Sequence, residues 1–403
     1  MKALIVTPCG LPIPAVKGGA VLTLLESIIK INEIEKKAEL TVVGVYDEEA
    51  ITASEQYPGT RFVFIRYGKP VLFFDELYEK VFDMLKKHHK IAKRYLSKLQ
   101  VIHDVKKLLW QEDFDRVVFQ NAGYLLNVLK DKKIRCKYEG KLYYHIHNDI
   151  PSNIYAEGVR DCRLLLISRY LEKRVIKICG SIDTEKIIVV KNGIDTEKFG
   201  QELSDDEAIE IKNKLHIPLD NKVVLFTGRI DQTKGISETV DAVEKLHRND
   251  ITLLVVGSNE FGSKRTSPFE IRMKNTFAAM GERVVFTGYV PYENIWKYYK
   301  IADVAVLPSM WEEPAGLTMI EACASDVPLI TTLSGGIPEY ISSEWANLLP
   351  KDSHIVDNIS SAIEDVFSNY EIWKDRAKKA QDHIKANYDL KNFYNAFFAA
   401  LNR

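Results

Sequence analysis

Cysteine is scarce: five residues in 403, at Cys9, Cys136, Cys162, Cys179 and Cys323. Their number is odd, their spacing is wide and no CxxC pair occurs. A disulfide framework and a clustered zinc site are therefore unexpected, and a reducing compartment suits the chain. Long apolar runs are missing too, since none approaches the roughly 18–20 residues that span a bilayer. The opening "MKALIVTPCG" carries one Lys and a short apolar run, too little for a signal-peptide core. A cytoplasmic protein is the expectation, with contact at the inner face of a membrane left open. Sequence repeats and low-complexity tracts are also lacking. Net charge is only −1, but it is unevenly spread. Residues 1–200 hold 33 Lys/Arg and 26 Asp/Glu, whereas residues 201–403 hold 22 and 30. A basic first half suits an anionic partner, although charge alone names none.

What is present is a soluble, globular composition, 46% apolar and 28% charged, in a chain longer than one hydrophobic core usually serves. Short β-rich runs alternate with helix-period segments in both halves. In the first they are "ALIVT", "LTVVGVY", "RFVFIR", "RVVFQ", "LYYHIH", "LLLIS" and "KIIVV". In the second they are residues 222–226, 252–256, 283–286, 303–307 and 328–331, separated by segments such as "ISETVDAVEKLH" and "PYENIWKYYKIA". This alternation predicts α/β architecture: two Rossmann-like, doubly wound domains with parallel sheets. The turn-rich, acidic stretch "NGIDTEKFGQELSDDEA" marks the joint. Domains of residues 1–197 and 198–384 are expected, with a C-terminal helix of about residues 385–403 packing back on the first. Open α/β domains bind ligands beyond the carboxyl ends of their strands, in a cleft if two such domains face each other.

Three loops after strands therefore matter most. "TGRIDQTKG" places Arg229 and Lys234 before a helix, a planar fork and a mobile point charge suited to a diphosphate. The helix N-terminus near Gly235 adds positive character; a solvated basic pair is the plainer reading. "SMWEEPAGLTMIEACAS" sets Glu313 before a helix and Glu321 within it, seven residues apart in between. Pro314 and Gly316 turn the chain so that free N–H groups near Ala315, Gly316 and Leu317 face the ligand side. Carboxylates that accept from vicinal hydroxyls suit a sugar or a ribose, each charged hydrogen bond being worth roughly 1.5–3 kcal/mol. The plainer reading makes Glu313 a helix-start charge and Glu321 a surface residue, yet Glu321 stands among Met319, Ile320, Ala322 and Cys323. An unpaired carboxylate there would be costly. In the first half, Gly18 and Gly19 open a helix, and His147 ends a strand two residues after His145.

These residues resemble the retaining glycosyltransferases of family 4, which have the GT-B fold. The resemblance rests on Pro308-Ser309 followed by Glu313 and Glu321, on Gly228-Arg229 with Lys234-Gly235, on Gly335-Gly336-Ile337-Pro338-Glu339, and on Asn192-Gly193-Ile194-Asp195 with Phe199. It implies that Arg229 and Lys234 hold the donor's diphosphate and neutralise the leaving nucleotide. Glu321 would bind the ribose and Glu313 the transferred sugar, with the backbone of Ala315, Gly316 and Leu317 touching sugar and phosphate. Gly18-Gly19 would approach the diphosphate, and His147 would support the developing positive centre of the sugar. The chain departs from the family at Ala315, where an aromatic is common, and at Val21, where an acid often stands. The implied activity moves a hexose-type sugar, from a UDP-sugar by preference, to a surface glycan or lipid-linked oligosaccharide. In the family's favoured account the leaving phosphate takes the acceptor's proton.

Asp113-Phe114-Asp115 resembles a metal-binding DxD, but it precedes a strand instead of following one, so no metal and no other cofactor is expected. Residues 84–107 carry eight Lys/Arg against Asp104 alone. Leu85, Ile91, Tyr95, Leu99 and Ile102 can form an apolar stripe there, suited to anionic lipid or to the core of the domain. No nucleic-acid-binding module is present, and nucleic acid is not an expected partner. Two rivals to the transferase remain: a GT-B sugar-nucleotide epimerase and a non-catalytic surface or coat component that has kept the fold.

Overall fold

The β-rich runs form two all-parallel sheets in the computed structural model. It describes residues 1–84, 94–150, 152–258 and 267–403, the side chains of residues 82–84 excepted. The first sheet has seven strands: β1 (Lys2–Val6), β2 (Glu39–Val45), β3 (Thr60–Ile65), β4 (Arg116–Gln120), β5 (Leu142–Ile146), β6 (Arg163–Leu166) and β7 (Ile187–Val189). Their order is β3-β2-β1-β4-β5-β6-β7. The second has six: β8 (Lys222–Thr227), β9 (Ile251–Val256), β10 (Val284–Gly288), β11 (Val304–Leu307), β12 (Leu329–Thr332) and β13 (Asn347–Leu349). Their order is β10-β9-β8-β11-β12-β13. The central strands are buried along nearly their whole length, which is why they read as continuous apolar runs. β13, only three residues long, is the strand that the hydrophobic pattern does not announce.

The chain divides into two compact units, Met1–Lys191 with Tyr394–Arg403, and Asn192–Phe393. The helix Tyr370–Asn387 belongs to the second, and the helix Leu390–Leu401 starts there and ends in the first. Within the first unit the Tyr143 hydroxyl donates to the Leu401 carbonyl at 3.1 Å, and Phe397 and Phe398 are buried. Each sheet reverses its winding once, between β1 and β4 and between β8 and β11. Diverging loops at such a reversal leave a crevice for ligand. The Gly18-Gly19 loop follows β1. The Arg229 and Glu313 loops follow β8 and β11.

Of the basic stretch at 84–107, Leu85 and Ile91 lie outside the described residues. In the helix Tyr95–Gln111 the core side is made by Val101, Val105, Leu108 and Leu109, while Tyr95 and Leu99 are exposed and Ile102 is half-buried. No helix among the described residues is long and apolar enough to cross a membrane.

Candidate functional site

Gly235 fixes the geometry of the second unit's site. Its φ of +75° lies in the left-handed region, and a Cβ there would stand 2.0 Å from the Pro308 carbonyl oxygen. Only glycine allows the loop after β8 to pass so close to the end of β11. The Met310 N–H then donates to the Thr233 carbonyl at 2.8 Å, tying the two loops together. Lys234 is thereby delivered to Glu313, with Nζ 2.6 Å from Oε2. The same oxygen accepts from Trp311 Nε1 at 2.8 Å and from Ser309 Oγ at 3.2 Å. Glu313 Oε1 makes no bond to a described residue, so the carboxylate is anchored through one oxygen and keeps the other's acceptor capacity. Arg229, about half-exposed, lies 3.1 Å from Asp231.

The Gly335-Gly336 turn holds Glu313 by its backbone. Gly336 N–H donates to the Glu313 carbonyl at 2.7 Å, and a Cβ on Gly335 would meet that oxygen at 2.2 Å. The neighbouring Glu312 steadies the same turn with its side chain, accepting from Gly335 N–H at 2.8 Å and pairing with Lys351 at 2.6 Å. Past Pro314 and buried Ala315, Gly316 takes a φ of +88° and opens the helix Leu317–Ala324 without a side-chain cap. The first N–H groups of that helix, at Leu317 and Thr318, find no acceptor in the described chain. Such amides suit an anion or a sugar oxygen.

Glu321 is buried at 6% exposure, which rules out the surface reading. It accepts from Tyr299 at 3.3 Å and from the Tyr292 hydroxyl. Burial pushes its carboxyl up to about 7 against those hydrogen bonds and against the attraction of Lys198. Tyr299 is held in turn by Thr227 Oγ1 at 2.7 Å, and Phe199 packs edge-on against both tyrosine rings. The Asn192–Phe199 stretch therefore supports Glu321 through two aromatic rings.

In the first unit Gly18 and Gly19 have φ of +71° and +105°, and the helix Ala20–Glu35 starts there without a side-chain cap. His147 is buried just beyond β5, its ring centroid 4.0 Å from that of His145. Burial pushes its imidazole down to about 3, and its Nδ1 has no hydrogen-bond partner among the described residues. The His147 imidazole is thus neutral and packed against the His145 ring. Asp113 pairs with Lys137 at 2.9 Å and Asp115 accepts from Lys2 N–H, both ahead of β4.

Residues 207–383 match the family described as Glycosyl transferases group 1. The chain is 28% identical over 258 residues to an uncharacterized glycosyltransferase of Methanocaldococcus jannaschii, a match covering 63% of each chain. It is 25% identical over 342 residues to the lipopolysaccharide 1,2-N-acetylglucosaminetransferase of Salmonella typhimurium, covering 78% of this chain and 83% of that one. In structure it resembles HepE of Anabaena in complex with UDP and glucose, with a TM-score of 0.73 at 18% identity, covering 100% of this chain and 99% of that one. The fold is GT-B.

In the second unit, Arg229, Lys234, Glu313, Ala315, Gly316, Leu317 and Glu321 all lie in the loops after β8 and β11 and the helix that follows β11, and Lys234 touches Glu313. His147, Gly18 and Gly19 are placed after β5 and β1 of the first unit. Sequence reasoning passes over Trp311, Thr318, Tyr292 and Tyr299. The tyrosines sit in "PYENIWKYYKIA", whose apolar period explains a helix without asking what the hydroxyls do.

Proposed function

We propose that the chain is a retaining hexosyltransferase of glycosyltransferase family 4. It moves a hexose-type sugar from a nucleotide-sugar, UDP-sugar by preference, to a surface glycan or lipid-linked oligosaccharide. The observation that carries this reading is the pair of glutamates. Glu313 is anchored through one oxygen with the other left over, and Glu321 is buried beside two tyrosines. Glu321 accepts the ribose hydroxyls and Glu313 those of the sugar, while Lys234, Arg229 and the amides of Leu317 and Thr318 meet the diphosphate. The backbone at Gly18-Gly19 approaches the same diphosphate. These groups take the charge role that a divalent ion has elsewhere, so turnover needs no metal and no cofactor. His147, neutral, accepts charge developing on the sugar without adding a positive charge of its own. The acceptor oxygen bonds to the anomeric carbon as the bond to phosphate breaks, and the acceptor's proton goes to the departing phosphate oxygen. Peripheral contact with an anionic membrane through residues 84–107 belongs to the same proposal, supported by the basic sequence and exposed Tyr95 and Leu99.

Calorimetric titration with UDP, GDP and ADP in EDTA tests the reading. Saturable binding of one nucleotide is expected, lost in Arg229→Ala/Lys234→Ala with the fold intact. Absence of binding by all three would overturn it.

A further inference from the structure

The loop that carries Gly18 and Gly19 is long. It runs over residues 7–19, between β1 and the helix Ala20–Glu35, where connections in α/β units usually take about 2–6 residues. Backbone in so long a loop is offered to a ligand in one place only if something fastens it. Here the fastening comes from the helix that the loop opens. Glu26, on that helix, accepts from the Ala15 N–H through Oε2 at 2.8 Å, and the Ala15 carbonyl accepts from the Gly18 N–H at 2.8 Å. We propose that Glu26, acting through Ala15 on the Gly18-Gly19 turn, is a positioning residue for the donor's diphosphate, a role that rests on the transferase reading above.

Both oxygens of Glu26 are used. Oε1 accepts from the Tyr57 hydroxyl at 2.8 Å, and Tyr57 is itself buried, its ring centroid 6.3 Å from that of Phe62 in β3. Burial and the neighbouring carboxylate hold that phenol well above its ordinary range, so it stays protonated and donating near neutral pH. An acceptor-only carboxylate can serve two donors at once, and its charged hydrogen bonds are the stronger kind. The loop has a further tie on each side of Ala15. Ile13 is buried over Gly44 of β2, where an added Cβ would stand 2.5 Å from Ile13 Cγ2. Lys17 pairs with Asp47, whose carboxylate also caps the helix Glu48–Ser54 by accepting from the N–H groups of Glu49 at 3.1 Å and Ala50 at 3.3 Å. Ala15 lies between these ties, and its amide and carbonyl decide how the chain turns from one to the other. With the Gly18 N–H spent on Ala15, the Gly19 N–H has no acceptor among the described residues and is the amide that the turn presents. A side chain at Gly19 would spoil it, since a Cβ there would meet Leu11 Cδ1 at 2.8 Å. Glu26 stands about 9 Å along the helix from its first residue, and it acts on the turn through the backbone alone.

The test combines hydrogen exchange of residues 13–19 with titration of the full chain by UDP and by uridine, which lacks the diphosphate. Glu26→Ala should speed exchange in that segment about ten-fold or more and weaken UDP about five-fold or more, with uridine held within about two-fold. Glu26→Gln is the conservative variant: its amide oxygen still accepts from Ala15 while its NH2 donates to the Tyr57 oxygen. It should restore the UDP affinity of the parent. Tyr57→Phe frees one side of Glu26 and should weaken UDP about two- to three-fold; it carries the test if the alanine variant fails to fold. A residue that only held the fold together would lower UDP and uridine affinity alike. Such parallel losses overturn the proposal, as do unchanged exchange over residues 13–19 or UDP affinity unaltered in both Glu26→Ala and Tyr57→Phe. A parent chain that binds no UDP sinks the transferase reading and this role with it, whereas a parent that binds UDP with indifferent variants sinks this role alone.

Discussion

The ring of Phe199 meets that of Tyr299 edge-on, with centroids 5.9 Å apart and planes at 74°. It meets Tyr292 in the same way at 5.8 Å. Since both tyrosines donate to Glu321, a buried phenylalanine far away in sequence sets how firmly that carboxylate is held. Phe199→Ala is expected to destabilise the protein by about 3–5 kcal/mol through the cavity it leaves. It should also weaken UDP binding in the fraction that remains folded. Phe199→Leu, which refills much of the volume, should recover most of the stability. Urea unfolding and UDP titration of both variants decide the point, and undiminished stability of the alanine variant would refute the packing role.

The raised carboxyl of Glu321 makes a second prediction. Its folded pKa of about 7 lies above the ordinary 4.5, so the folded chain holds this proton more tightly than the unfolded one. The contribution to stability is full below about 4.5 and is lost as pH rises through about 7. Binding has the opposite slope, because ribose hydroxyls need the ionised, acceptor-only form. UDP affinity should improve as pH rises through about 7 and then level off. Binding at lower pH should release a proton, visible as buffer-dependent heat. Lys198, Tyr292 and Tyr299 are the charged or titratable neighbours that tune this step. Glu321→Gln should lower affinity and flatten the profile; a slope preserved in that variant would assign the proton elsewhere.

Tyr292→Phe and Tyr299→Phe should each shift the midpoint of that profile upward, because a lost donor leaves the charged form of Glu321 less favoured. A loss of a few-fold in UDP affinity is expected near neutral pH, on the order of one hydrogen bond, with recovery at higher pH. Equal losses at every pH would point to structural damage instead.

Trp311→Phe separates sugar from nucleotide. It removes one of the three donors on Glu313 Oε2 and keeps most of the ring near Lys234. If Glu313 holds the sugar, kcat/KM for the UDP-sugar donor should fall about ten-fold while affinity for free UDP stays within two-fold, roughly one charged hydrogen bond. Parallel losses in both would remove the distinction.

Gly235→Ala should be among the more damaging single substitutions, because the added Cβ meets the Pro308 carbonyl and the residue sits at positive φ. A loss of about 1–3 kcal/mol or more in stability is expected from the strain. UDP binding should weaken with it, as the two loops part. Thermal melting with and without UDP checks both halves of the statement.

Much of this is legible in the residues themselves. Strands β1 to β12 announce themselves as short β-rich runs, because a sheet buried on both faces tolerates little else. β13, which consists of "NLL" alone, is too short to carry a period. The glycines at 235, 316 and 335 can be read as turns, but the close approach to Pro308 or to the Glu313 carbonyl is a fact of tertiary packing. Glu321 shows its burial through Met319, Ile320, Ala322 and Cys323, whereas the tyrosines that satisfy it are 22 and 29 residues earlier. The stripe expected at Tyr95, Leu99 and Ile102 differs from the helix's core side at Val101 and Val105, one position out of phase at its centre. Spacing cannot decide between two faces of a helix that are both partly apolar.

The helix Leu390–Leu401 adds a constraint on synthesis. Tyr143, Asn32 and His145 of the first unit find partners in Leu401, Tyr394 and Phe397. Those partners are translated only after the whole second unit. Domains ordinarily fold as they emerge from the ribosome, N-terminal first. Here the earlier unit must wait, with an apolar seam uncovered, until Tyr394–Leu401 have been made. Truncations that remove Tyr394–Leu401 should therefore injure the first unit before the second, and a nascent chain stalled before Tyr394 is the species a chaperone would be expected to meet.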